Sequence, residues 1–242
     1  MITFNIHYIK QWAKSSDSTL AQLIKALWFK LKRVEIPNIP FVFKLLYTFH
    51  IVLKQIISEV LRIFYYTPLF KSRLKNTPKQ LYLYGGLPVV IGSLDITMGD
   101  SVRLAAMTTI SGRAVGTNIP QLYIGNNVGI AWRTSISVGN KIIIGNNVRI
   151  AGDCYLAGYP GHPINAKLRA MGKPDDDSQI GTIVLEDDVW LATGVKVMPG
   201  VTIGHGTIVA AGSVVTKSLP DNVIAAGTPA RIVKSIKEKC YE

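Results

Sequence analysis

The sequence predicts a mainly β fold: a coil of short parallel strands with three flat faces, preceded by an α-helical region and followed by a short C-terminal helix. Three observations carry this. From Leu185 every sixth residue is aliphatic, through Leu191, Val197, Ile203, Val209 and Val215. Midway between them stand Val189, Val195, Val201, Thr207 and Ser213, all small or β-branched. A period of six matches neither a helix nor a continued strand alternation; it matches short strands joined by turns in a stacked coil. The N-terminal third lacks this period and spaces its apolar residues as helices do.

In chain order, residues 19–34 come first. Leu20, Leu23, Ile24, Leu27, Leu31 and Val34 share one helical face, with Lys25, Lys32 and Arg33 elsewhere. Ser18 or Thr19 serves as the cap, and Pro37 and Pro40 end the helix. A second helix is expected over 41–66, its polar positions Lys44, Thr48, Gln55, Ser58, Glu59 and Arg62 returning at helical spacing. A membrane span wants about 20 largely uncharged residues. Lys44, Lys54, Glu59 and Arg62 interrupt this one, so the expectation is a helix lying in a membrane interface, backed by Lys71, Arg73 and Lys75. A helical cap packed on the repeat or on neighbouring subunits is the other reading of the same residues.

Charge supports the division. Residues 1–84 hold 13 Lys/Arg against 3 Asp/Glu, and residues 85–242 hold 14 against 12. The basic region 19–75 suits an anionic membrane surface. Nucleic acid is not expected, because no recognition fold accompanies the charge. Cys154 and Cys240 make no disulfide framework, and no apolar run with a cleavage site follows Lys10 and Lys14, so a cytoplasmic setting is expected.

After Pro78 the helical pattern stops. Met98–Val102, Ile124–Val128, Ile144–Val148, Leu185–Val189 and Ile203–Thr207 are versions of one unit, each with an aliphatic residue six positions after its first. The repeat breaks between Leu156 and Leu185, a 29-residue step where six would continue the coil. Long irregular excursions in compact domains are uncommon and tend to be functional. This one carries His162. An imidazole titrates near neutrality and suits proton abstraction from a hydroxyl.

Several ordered motifs now support a resemblance: Gly161-His162-Pro163 with Arg169 downstream, Asp187-Asp188-Val189-Trp190, Pro199–Gly204, Ala211–Lys217 and Ala226–Arg231. With these, residues 85–231 resemble the left-handed parallel β-helix of the hexapeptide-repeat acyltransferases. Within it they are similar to the maltose, galactoside and nodulation-type O-acetyltransferases, and the N-terminal helices are similar to acetyltransferases of surface-polysaccharide pathways. The implied domains are a helical, membrane-associating region over 1–80, a β-helix over 85–229 with a catalytic loop at 157–182, and a C-terminal helix over 230–242.

The resemblance implies acetyl-CoA as co-substrate and direct transfer of acetyl to a sugar hydroxyl, with His162 as general base. The oxyanion donor is expected at the backbone N–H of Ala192 or Thr193. Coenzyme A contacts are expected at Trp190, Ala211, Thr216, Lys217 and Arg231; acceptor contacts are expected at Arg169 and, outside the family's pattern, at Trp132 and Arg133. One departure stands out: Ala131 occupies the position where the sugar enzymes carry an acceptor-holding Asn. Asp153 is a candidate orienter of His162. A homotrimer is implied, with a surface glycan or its lipid-linked precursor as acceptor, on the cytoplasmic side of the inner membrane. A small soluble acceptor (free sugar, amino-sugar or antibiotic) and a non-catalytic scaffold are the alternatives. No metal is expected, since only His162 and His205 lie in the repeat. The acidic run Asp175–Asp177 reads as a solvated loop tip.

Overall fold

The computed structural model describes residues 6–116 and 118–236. Three helices come first: α1 (Ile6–Ser15), α2 (Thr19–Lys32) and α3 (Pro40–Leu61). Ser18 is the cap of α2, its side chain accepting from the Ala21 N–H at 3.3 Å. The other proline has a different role from the one expected: Pro40 opens α3, where its missing N–H costs nothing. Beyond Leu61 a π-helical turn, Arg62–Tyr66, leads into α4 (Thr67–Lys71). Among the described residues the continuous stretch Pro40–Lys71 is the one helix long and apolar enough to cross a membrane.

The remainder is a parallel β-helix of the left-handed class. Each turn contributes one short strand to each of three sheets. The first sheet stacks Tyr82–Tyr84, Arg103–Ala105, Gly129–Ile130, Arg149–Ile150, Trp190–Leu191, Ile208–Val209 and Val223–Gly227. The second runs from Val89–Ile91 to Val214–Val215, and the third from Asp95–Met98 to Thr202–Ile203. Leu83, Leu104, Ile130, Ile150, Leu191 and Val209 are successive register partners, all inside the prism. The six-residue period is therefore one strand plus one corner. Small residues of the second series fill the corners: Thr108, Thr134, Cys154, Val195 and Ser213 are stacked and buried on one edge.

The edge between the third and first sheets explains the recurrent Asn-Asn and Asp-Asp pairs. The second residue of each pair, Asn127, Asn147 and Asp188, adopts positive φ, a conformation that Asn and Asp tolerate better than most. The first residue builds a ladder. Asn146 Oδ1 accepts from the Asn126 N–H at 2.9 Å, and Asp187 Oδ1 accepts from the Asn146 N–H at 2.6 Å.

Two boundaries differ from expectation. The β-helix begins three residues before 85, because Tyr82–Tyr84 pairs in register with Arg103–Ala105. The C-terminal helix is replaced, over its described part, by strand Ala230–Ser235, antiparallel to Val223–Gly227. The open edge of the last coil offers unpaired backbone groups, and β-branched Ile232 and Val233 suit a strand. Residues 237–242, including Cys240, lie outside the described residues.

Candidate active site

The excursion leaves the second sheet after Tyr155–Ala157 and rejoins the third at Ile183–Leu185. It carries α5 (Ala166–Ala170), capped by the Asn165 side chain. His162 is exposed near its start, beside buried Pro163. Gly161 has φ +79°, which a side chain there would strain, and its N–H donates to Asp175 Oδ2 at 3.0 Å.

Asp175 is itself held. Arg113 Nε donates to Asp175 Oδ1 at 2.6 Å, Arg113 Nη2 to the Asp175 carbonyl at 2.8 Å, and Arg113 Nη1 to Asp177 Oδ1 at 2.7 Å. Arg113 and Asp175 are each 6% exposed. Burial alone would lower the Arg113 pKa, yet its hydrogen bonds to Asp175 and Asp177 outweigh it and hold the guanidinium above its usual range. The expectation of a solvated acidic tip is thus wrong for Asp175: its partner is 62 positions away on the same edge of the coil, where sequence spacing did not show it.

Arg169 turns back onto its own loop. Its Nη1 donates to the carbonyls of Pro163 and Ile164, at 2.9 and 3.0 Å, bracing the turn just after the histidine. The loop also bonds back to its own edge: Tyr159 Oη lies 3.4 Å from Ser111 Oγ, and the Gly181 N–H donates to Gly158 O at 3.2 Å.

Other expected residues stand on a different edge, between the first and second sheets. The Asp153 N–H donates to Trp132 O, that of Gly194 to Gly152 O and that of Gly212 to Thr193 O. Trp132, Gly152, Thr193 and Ala211 therefore form a column along that edge. Trp132 meets Tyr84 edge-on, with ring centroids 5.1 Å apart. Arg133 bonds Asp153 at 2.6 and 2.7 Å, and both side chains are exposed. That pairing holds the Asp153 carboxyl below its ordinary range. Within one chain Asp153 does not orient His162, which lies one edge away.

The two oxyanion candidates separate. The Ala192 N–H donates to Val209 O at 2.9 Å as part of the first sheet, so it is spent. Among the described residues the exposed Thr193 N–H has no backbone partner. Of the coenzyme A candidates, Trp190 stands half-exposed on the outer face of the first sheet and Ala211 is exposed on the column above Thr193. Thr216 and Lys217 are exposed on the same edge as the histidine loop, after Val214–Val215. Arg231 lies in the terminal antiparallel strand, its Nη1 turned to Ala230 O at 2.9 Å.

The outer face of the first sheet holds a recess of about 400 Å³ lined by Tyr82, Tyr84, Arg103, Arg149 and Trp190 over Gly129, Ala131 and Ala151. The sequence singled out Trp190 and Ala131 but missed the others. Among the described residues no group of three His, Cys, Asp or Glu side chains is placed to hold a metal. Cys154 fills a corner slot inside the prism, and burial pushes its thiol up to about 11.

Residues 182–217 match the family model for the bacterial transferase hexapeptide, six repeats. Galactoside O-acetyltransferase of Escherichia coli is 36% identical over 124 residues, covering 51% of this chain and 57% of that one. Galactoside O-acetyltransferase of Lactococcus lactis is 36% identical over 121 residues, covering 50% of this chain and 53% of that one. The chain thus spans less than two thirds of the length of these curated relatives. Among solved structures, AntD, an N-acyltransferase from Bacillus cereus in complex with dTDP and 3-hydroxybutyryl-CoA, superposes with a TM-score of 0.56 at 22% identity. That match covers 70% of this chain and 87% of that one, and at such identity it bears on the fold alone.

Proposed function

Because this chain belongs to the hexapeptide-repeat transferase family, we propose that it transfers acetyl from acetyl-CoA to a hydroxyl of a sugar acceptor. The observation that carries this reading is the presentation of His162. It is exposed on a loop outside the coil, while the turn before it is fixed through Gly161 and Asp175 and the turn after it through Arg169. A base must be accessible and held still to take a proton in the transition state. His162 removes the acceptor proton, the oxygen attacks the thioester carbonyl, and the proton passes to the departing thiolate. The Thr193 N–H is the donor suited to the oxyanion.

Histidine and Thr193 occupy different edges of one prism. That separation supports a homotrimer in which the loop of one copy serves the Thr193–Ala211 column of its neighbour. The test is release of CoA from acetyl-CoA by wild type and His162→Ala, against polysaccharide fragments and simple sugars. Loss of turnover by a factor of about 10² to 10⁴ with CoA binding retained is expected; full turnover in His162→Ala overturns the assignment. Acceptance of free sugars alone would favour a small soluble acceptor over a surface glycan.

We infer further that the protein works as a peripheral protein on an anionic membrane surface, on the cytoplasmic side, where lipid-linked glycan precursors are assembled. The polar side of the helix after Lys54 supports this. Glu59 accepts from Tyr82 Oη at 3.0 Å, and the Arg62 guanidinium lies 4.5 Å from the Tyr82 ring centroid. The opposite side carries Ile56, Ile57, Val60 and Phe64, all exposed. A helix with its polar side docked and its apolar side outward suits an interface, and Lys71, Arg73 and Lys75 follow it. Co-sedimentation with phosphatidylglycerol-containing vesicles, weakened by salt and absent with phosphatidylcholine alone, is expected. No sedimentation with either vesicle at low salt would refute the membrane reading.

A further inference from the structure

Across the outer face of the first sheet, Tyr82, Arg103, Gly129, Arg149 and Trp190 are register partners on five successive strands. They form one row about 19 Å long at ordinary strand spacing. Its centre is a gap, because Gly129 has no side chain. A methyl placed there would stand 4.0 Å from both Arg103 Nη2 and Arg149 Nε. Two guanidinium groups therefore converge over one point. Among the described residues neither has a carboxylate within 4.0 Å. Arg149 is pinned by Asn127, through its carbonyl and through Oδ1 at 3.1 Å, neutral partners that orient the group and leave its charge uncompensated.

Like charges held together repel, and an anion between them turns that repulsion into charge-assisted hydrogen bonding. The ends of the row are aromatic. Trp190, 49% exposed, offers its ring to solvent; Tyr82, 38% exposed, has one ring face covered by the Arg62 guanidinium and presents only part of its ring. The open Trp190 ring beside a paired-arginine centre, in a recess of about 400 Å³, suits a chain of sugar rings bearing an acidic group.

We propose that this row is a binding site for an anionic saccharide, with its carboxylate or phosphate seated over Gly129 between Arg103 and Arg149. The inference deepens the acetyltransfer reading by naming an acidic acceptor, and it rests on that reading only for the role of the bound glycan. The same anion chemistry could be supplied by the phosphates of coenzyme A, so the experiment separates the two sources.

Binding of tetragalacturonate, maltotetraose and coenzyme A is measured by calorimetry, without acetyl-CoA, on the full chain. Wild type, Arg103→Gln and Gly129→Val are compared; Arg103→Gln leaves the bonds between Arg149 and Asn127 in place, and Gly129→Val fills the gap against both arginines. The expected result is tetragalacturonate bound in preference to maltotetraose, weakened about tenfold or more by Arg103→Gln and blocked by Gly129→Val, with coenzyme A affinity unchanged. Equal affinity of the two glycans, or tetragalacturonate affinity unmoved by Arg103→Gln, overturns the site. Loss of coenzyme A affinity instead assigns the anion to coenzyme A and overturns the saccharide. A change in oligomeric mass in either variant, read by light scattering, makes the face an interface and also overturns it. None of these outcomes depends on turnover, so failure here and failure of acetyltransfer are read separately.

Discussion

Arg113 and Asp175 are 62 positions apart and meet at 2.6 Å, both inside the protein. One end of this pair belongs to the corner after Thr109–Gly112, and the other to the loop that carries His162. Asp175 spends its second oxygen on the Gly161 N–H. The pair is the route by which the rigid coil fixes the residue before the histidine.

Removing one partner leaves an uncompensated buried charge, a loss of about 3–5 kcal/mol where no relaxation occurs. Arg113→Met is expected to lower the denaturation midpoint and to admit protease within 157–182. The double variant Arg113→Met/Asp175→Leu removes both charges and is expected to recover most of the stability. It does not restore the acceptor for the Gly161 N–H, so turnover stays low while CoA affinity is kept. Recovery of full turnover in the double variant would show that the pair has no positioning role.

The extent to which the sequence foretold these features follows from the range of each interaction. The coil is written locally: each strand is a few residues long, and its inward residue recurs every six, so Leu185 to Val215 announces the prism. His162 was visible because it interrupts that period. The pairing of Arg113 with Asp175 was not, because Asp175 sits in an acidic run and nothing local separates a buried aspartate from a solvated one. One signal was available. Ile110 to Ile124 is a 14-residue step where Val90 to Met98 and Ile136 to Ile144 take eight, so two enlarged corners fall on one edge and must pack together. The arginine row over Gly129 was hidden for the opposite reason. Outward positions carry no period, and only the strand register aligns Arg103 with Arg149.

Gly85 illustrates a constraint that sequence gave only as a boundary. It has φ +83°, and a methyl there would lie 2.2 Å from the Trp132 ring. Gly85→Ala is expected to destabilise by about 1–3 kcal/mol from overpacking and backbone strain together. Trp132→Ala in the same chain relieves the packing part and leaves the φ part. A double-mutant cycle by urea denaturation reads this as a positive coupling; strict additivity would show that the ring moves aside freely.

Cys154 gives a chemical check on the interior. Its thiol is buried among Thr134, Val195 and Ser213 in the corner column, and burial pushes it up to about 11. Only the thiolate alkylates readily. Iodoacetamide at pH 8 is expected to leave Cys154 unmodified in the folded protein and to label it in urea, as peptide mass spectrometry will show. Rapid native labelling would mean that the coil opens at that corner.

The ladder on the edge between the third and first sheets sets a dependence on pH. The Asp187 carboxyl is held below its ordinary range, first by the Asn146 N–H at 2.6 Å and then by the Asn146 side chain. A depressed carboxyl stabilises the fold above its unfolded pKa of about 3.9, and that contribution disappears as pH falls through the lower, folded value. The thermal midpoint should therefore drop on acidification below about pH 4. Asp187→Asn supplies a neutral acceptor like Asn146 one rung below, so the variant keeps an amide oxygen for the Asn146 N–H and loses the titrating group. Its midpoint should be slightly lower than wild type at pH 7 and fall less steeply between pH 4 and pH 2. A steeper fall in the variant would place the acid sensitivity elsewhere, with Asp153 beside Arg133 the next carboxylate to replace.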